Sequence, residues 1–304
     1  MVEDIGKIIN NGFGTFTKNL NISVPFILNV IVSIIIAGII GFFGLLIVFG
    51  SSLSSLESVN TPEALSLVLL PLIMQHIIEI VILISIVFVL IFFIQAYFTA
   101  GAIGMAIEAT GSGRSSLSTM NNAGRKNLLN MFLAEILFSL ISLAGIVFIV
   151  PGAMKIDFSQ IMDSKSPEGA ALFIAGLILW VLYIIVLSIV LVIFRYALVA
   201  ENLGPIESIT ASFEFFKKHK GDVILLFVFL IAISFVFFII DQIMGVLPII
   251  SILWSIISFL ISIIVIPPLT TIWWVRLYMI RTDKKIYFDD LLAHPNDLEA
   301  SRIQ

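Results

Sequence analysis

Six apolar runs, at about 22–49, 77–98, 128–150, 170–200, 223–243 and 249–280, each reach the roughly 20 residues needed to cross about 30 Å of hydrocarbon. A soluble fold of 304 residues could bury a sizeable core but could not hide six such runs. The composition agrees, with 60% of residues hydrophobic, 12% charged and a mean hydropathy of +1.17. The chain therefore reads as all-α: a polytopic membrane bundle of six spans with short cytoplasmic amphipathic interfacial helices. It forms one membrane domain over 1–304, with an amphipathic segment at 1–21 and a cytoplasmic tail at 281–304.

The charges fix the threading. Lys7, Lys18, Arg114, Arg125, Lys126, Arg195, Lys217, Lys218, Lys220, Arg276, Arg281, Lys284, Lys285 and Arg302 fall on one side of a six-span path, and only Lys155 and Lys165 on the other. A bias of 14 against 2 in short loops marks the first side as cytoplasmic, which places both termini inside a cell (plasma) membrane. The outer loops are acidic, with Glu57, Glu63, Asp157, Asp163, Glu168 and Asp241. Within the first of them, residues 64–75 are apolar but too short to span, and read as an interfacial or re-entrant helix. The start, Met1 to Asp4, is acidic and the first apolar run begins near Ile22, so the first span is expected to be retained. A net charge of -4, with basic residues only in short clusters, argues against a nucleic-acid partner. No cysteine is present, which removes disulfides, thiolate metal sites and cysteine nucleophiles.

Three inner segments share a plan of helical apolar spacing followed by a basic cluster. In the first, Ile5, Ile8, Ile9, Phe13, Phe16 and Leu20 recur every three or four residues. In the third, Pro205 opens a helix whose apolar face is Ile206, Ile209, Phe213 and Phe216, and Lys217, Lys218 and Lys220 precede a terminating Gly221. The middle segment, Ser115 to Lys126, has only Leu117, Met120 and Ala123 as its apolar line. The plan reads as three degenerate units of surface helix plus hairpin. Lys18, Arg125, Lys126, Lys217, Lys218 and Lys220 are the expected contacts for anionic lipid headgroups; service as topology anchors is the blander reading of the same residues.

The stretch Phe194-Arg195-Tyr196-Ala197-Leu198-Val199-Ala200-Glu201-Asn202, followed by Gly204-Pro205-Ile206-Glu207-Ser208 and Ala211-Ser212, resembles a broad prokaryotic family of six-span integral membrane proteins. That family includes the membrane domain attached to some glycerophosphoryl diester phosphodiesterases. The resemblance implies a membrane module. It implies no phosphodiesterase activity here, since no barrel-sized region carries paired carboxylates and histidines for metal-assisted hydrolysis.

Charged groups at membrane depth are costly and need partners. Glu135 lies about seven residues into the third span and is expected to pair with Arg195, at a similar depth in the fourth. Arg276 beside Trp273 and Trp274 reads as an interface anchor. Small residues at Gly38, Gly41 and Gly44, and at Ala96, Ala100 and Gly104, form stripes that permit close helix approach. Pro267-Pro268 should kink or end the sixth span and leave 269–279 along the inner interface.

No catalytic set, metal site or cofactor motif emerges, so the expected protein is not an enzyme and carries no cofactor. The expectation is a membrane protein that organises lipids or partner proteins through its basic amphipathic helices, with homo-oligomerisation open. A transporter or channel for a small or lipidic solute is the alternative, and a lipid-headgroup enzyme the third.

Overall fold

The computed structural model describes residues 3–50, 71–156, 169–245 and 248–286. Its helices are α1 (Ile5–Lys18), α2 (Val24–Phe49), α3 (Ile77–Ser112), α4 (Leu117–Ala144), α5 (Val150–Ala153), α6 (Ala170–Val190), α7 (Phe194–Glu201), α8 (Pro205–Gly245), α9 (Pro248–Ile264) and α10 (Ile266–Arg281). Among the described residues, six helical stretches are long and apolar enough to cross a membrane: Leu20–Phe49, Ile77–Ser112, Leu117–Phe148, Ala170–Glu201, Pro205–Gly245 and Ile250–Arg281. The protein is an all-α, multi-pass membrane bundle. Glu3 bonds to Arg276 and Arg281, so the two ends of the described chain meet, as an even number of spans requires. Of the apolar segment at 64–75, residues 71–75 are helical and the rest, like most of the tail at 281–304, lies outside the described residues.

Burial is concentrated at one end of the bundle, the end that carries the basic residues. Ile8, Ile22, Met105, Met131, Leu226 and Ile272 are fully buried there. Toward the other end the spans splay, and side chains such as Ile47 (83% exposed) and Phe88 (58%) face outward. In water, surface of this kind would drive aggregation; in a bilayer it is already in an apolar solvent and nothing pulls it inward.

The hub of the packed end is α10. Trp273, Trp274 and Arg276 are 5%, 2% and 3% exposed, and nearly the whole run from Pro268 to Ile280 is buried. This corrects the expectation that 269–279 lies along the interface with those three residues as anchors. The sixth span breaks at Val265 (φ -112°, ψ -56°), and Pro267 and Pro268 sit in the first turn of the new helix, where no amide donor is needed. The prolines thus start α10, and the break redirects it into the protein, between α1, α3, α7 and α9.

The first segment is a separate helix, capped by the Asp4 side chain, which accepts from the Lys7 amide at 2.8 Å. Its apolar stripe is divided. Ile8, Gly12 and Phe16 are buried against the protein, while Phe13 and Leu20 remain outside. Trp273 reaches over Gly12 to donate from Nε1 to the Ile9 carbonyl at 3.1 Å, a fit that needs the missing Cβ. The middle segment is no surface helix at all: α4 runs unbroken from Leu117 into the third span, and Met120 and Ala123 fill the space beside Gly101 and Gly104 of α3. Of the Ala96, Ala100 and Gly104 stripe all three are buried and Gly104 packs on α4, whereas Gly38 and Gly41 face open space and Gly44 meets Leu83. The third segment joins the fifth span across a break at His219 (φ -127°, ψ 32°), two residues before the expected stop at Gly221.

Gly12→Leu is expected to lower stability by about 1–3 kcal/mol through overpacking against Trp273. Gly14→Leu, where no atom lies within 4 Å of the new Cβ, serves as the neutral control. Thermal unfolding in detergent and protease cleavage of the N-terminal segment read both; equal behaviour of the two variants would refute the docking of α1.

Candidate functional site

A three-residue turn at 191–193 interrupts the fourth span just before Arg195, a break that the continuous apolar run gave no sign of. It sets the Arg195 side chain against α4, where Nε donates to Glu135 Oε1 at 2.5 Å and Nη2 to Oε2 at 2.9 Å. The pair is bidentate, the geometry that suits a planar guanidinium to a carboxylate. Its members are unequally covered: the Glu135 side chain is 12% exposed and that of Arg195 39%. Phe194 stacks on Phe138 of α4 and holds the turn from the other side, with ring centroids 5.5 Å apart.

A second group of charges binds α10 to its surroundings. Arg276 donates from Nε to Glu3 Oε2 at 2.9 Å and from Nη2 to Oε1 at 2.6 Å, and the Asn11 amide adds a bond to Oε1 at 2.9 Å. One turn on, Arg281 donates to Asp222 of α8 at 2.7 Å and to the Glu3 carbonyl at 3.1 Å. Lys284 meets Glu201 of α7 at 3.3 Å, and the Tyr278 hydroxyl donates to the same carboxylate at 2.6 Å. Asn19 and Asn21, just after α1, grip the α3–α4 connection: Asn19 Nδ2 donates to the Gly113 carbonyl, and Asn21 Nδ2 to that of Ser115. The Glu135–Arg195 pairing joins two groups visible in apolar runs. The others were not legible, because Glu3, Asp222 and Glu201 sit at helix edges where a charge normally meets water; a buried arginine at 276 was the one usable signal.

The remaining expected site residues are exposed basics. Lys18 lies in the last turn of α1, and Arg125 and Lys126 near the start of α4. Lys126 borders a small polar recess with Thr119, Asn122, Asn127 and Asn202. Lys217, Lys218 and Lys220 cluster at the His219 break, with Lys217 Nζ 4.3 Å from the Phe213 ring centroid. The segment leading to them buries Ser208, Ser212 and Phe215, while Ile206 (69%) and Phe213 (45%) are exposed beside Glu207 and Glu214. Among the described residues, no three His, Asp or Glu side chains gather as a metal site.

Burial pushes the Glu3 carboxyl up, but the bonds and charge of Arg276, with help from Asn11 and Lys7, outweigh it and hold the group below its ordinary value of 4.5. A depressed carboxylate stabilises the fold above that value and loses its contribution as pH falls through its lower folded value. Wild type should therefore lose stability below about pH 4.5 more steeply than Glu3→Gln. Arg276→Met should cost about 3–5 kcal/mol by leaving a buried carboxylate unpaired, and less when combined with Glu3→Gln. Unfolding midpoints across pH measure both; additive single effects would refute the pair.

No curated protein and no solved structure matches the chain. A family model described as a domain of unknown function (DUF7847) matches residues 64–277, from within the connection between α2 and α3 to the later part of α10. With that model covering well over half its length, the chain belongs to the DUF7847 family.

Proposed function

We propose that the protein organises anionic lipids, or partners held at the same surface, through the basic amphipathic segment at 205–220. The observation that carries this reading is the outer face of that segment: Ile206 and Phe213 exposed, and three exposed lysines at its end. A helix in that orientation is matched to the acyl–headgroup boundary, where its apolar face enters lipid and each lysine contributes on the order of 1 kcal/mol of attraction to an anionic surface. Of the three expected segments this one supports the reading best, with Phe13 of α1 and Leu20 just after that helix as a lesser contact. The 14-to-2 charge bias supports a cytoplasmic placement of this face in the plasma membrane, with both termini inside. The resemblance to the six-span family that includes phosphodiesterase membrane domains supports a membrane module and nothing catalytic. Glu3, Glu135, Glu201 and Asp222 each hold a cation partner.

The transporter alternative rests on Glu135 and Arg195 at membrane depth. Their bidentate pairing favours a structural role, and uptake of a solute abolished by Glu135→Gln at unchanged stability would reverse that preference.

Two measurements test the proposal. In nanodiscs of mixed composition, spin-labelled phosphatidylglycerol should associate with wild type in preference to phosphatidylcholine. The preference should fall in Lys217→Gln/Lys218→Gln/Lys220→Gln and in high salt, and identical selectivity in wild type and variant would sink the idea. Because the chain lacks cysteine, single introduced cysteines report sidedness cleanly. An impermeant maleimide should label Met154→Cys from outside intact cells and Lys218→Cys only in inverted vesicles; labelling of both from one side would break the topology.

A further inference from the structure

Between Asp222 and Arg276 the chain carries one charged residue, Asp241, and no lysine, arginine or histidine. Asp222 pairs with Arg281 at the basic end, and Asp241 stands about 28 Å further along α8, close to the thickness of the hydrocarbon and near the helix end at Gly245. The helices that pack on this hairpin, α2 against α9 and α6 against α8, add no charge of their own. Among the described residues Asp241 forms no ion pair, unlike Glu3, Glu135, Glu201 and Asp222.

Asp241 lines a recess of about 290 Å³ between α8 and α9, together with Gly245 and with Ser251, Trp254, Ser255 and Ser258 of α9. The three serines recur at helical spacing and so share one face of α9. The polar side chains here spend their donors within the protein. Trp254 Nε1 donates to Asp241 Oδ1 at 2.5 Å, Ser258 Oγ to the same oxygen at 3.2 Å, and Ser255 Oγ to the Ser251 carbonyl at 2.7 Å. What remains is a set of acceptors: Asp241 Oδ2, which takes no bond from a described residue, and the lone pairs of the Ser255 and Ser258 hydroxyls. An unpaired carboxylate at the edge of hydrocarbon is costly, and the partner that relieves it must bring both positive charge and donors.

The geometry points to a binding site for a primary ammonium group, whose three N–H donors match Asp241 Oδ2 and the hydroxyl oxygens of Ser255 and Ser258. The volume falls at the bottom of the range of about 300–1,000 Å³ typical of ligand pockets, which suits a small headgroup or amine and not an extended solute. A calcium ion fits the donor set poorly, since it takes about six to eight oxygens, and Asp241 is the one carboxylate lining the recess. At this depth the ammonium is either carried by a phospholipid headgroup or enters free from water, and the recognition chemistry is the same. The site lies at the opposite end of the bundle from the 205–220 surface and stands or falls without it.

The full chain, freed of lipid and placed in phosphatidylcholine nanodiscs at neutral pH, is titrated with ethanolamine hydrochloride, choline chloride or sodium chloride at equal ionic strength while tryptophan emission is followed. Trp254, bonded to the recess carboxylate, is the reporter, and Trp254→Phe should lose the response. Ethanolamine should half-saturate the change at a concentration at least about fivefold below that of choline, whose quaternary nitrogen has no N–H to donate. Asp241→Asn should remove the response at unchanged unfolding temperature. If that variant does not fold, Ser255→Ala/Ser258→Ala carries the test and should bring ethanolamine and choline to equal concentrations. In nanodiscs containing phosphatidylethanolamine, a lipid-borne ammonium should shift the emission beforehand and abolish the ethanolamine titration, whereas a site for free amines titrates alike in both; either result supports the proposal and identifies the source. Equal responses to ethanolamine, choline and sodium, a response kept in Asp241→Asn, a preference kept in Ser255→Ala/Ser258→Ala, or no response in either nanodisc overturns it. The Lys217→Gln/Lys218→Gln/Lys220→Gln variant should respond as wild type, so failure of this site leaves the surface reading standing.

Discussion

An apolar side chain gains little by leaving lipid for protein, and that constraint arranges everything else in this bundle. Over most of their length the spans have no hydrophobic reason to pack, and they do not: side chains such as Ile47, Phe88 and Phe235 stay outside. Close packing is concentrated where the spans approach water, around α10, where burying Trp274, Leu277 and Ile272 does remove them from a polar solvent. The core of the protein is thus a plug at one end of a splayed bundle.

A plug built on a buried arginine has to supply that arginine's partner. Arg276 takes Glu3 from the far terminus, and Arg281 and Lys284 extend the same logic to α8 and α7. These pairs offset a desolvation penalty more than they add stability, and what they contribute is register: each carboxylate accepts one arrangement of the chain ends. The result is an end of the molecule in which the N-terminal helix, the redirected α10 and the α7–α8 connection are mutually fixed. The 205–220 segment and the Glu135–Arg195 pair are both mounted on that fixed end.

The lysine-rich segment of the proposed function acts through a field that salt screens and any anionic headgroup satisfies.

Much of the architecture was legible in the residues. Run length and charge alternation determined six helical spans and an even count, because hydrocarbon thickness and the cost of stranded charge act on each span separately. Glu135 and Arg195 were legible as a pair since two charges inside apolar runs at matched depth have few other options. Tertiary structure alone decided where the amphipathic faces point. An apolar stripe on a helix says that it must be covered, not by what: Ile8 and Phe16 are covered by protein, Met120 and Ala123 by the glycines of α3, and Ile206 and Phe213 by nothing in the chain. The same limit hid the role of Trp273, Trp274 and Arg276, whose sequence suits an interface or a core equally. Only the break at Val265, and the presence of Glu3 at the other end of the chain, made it a core.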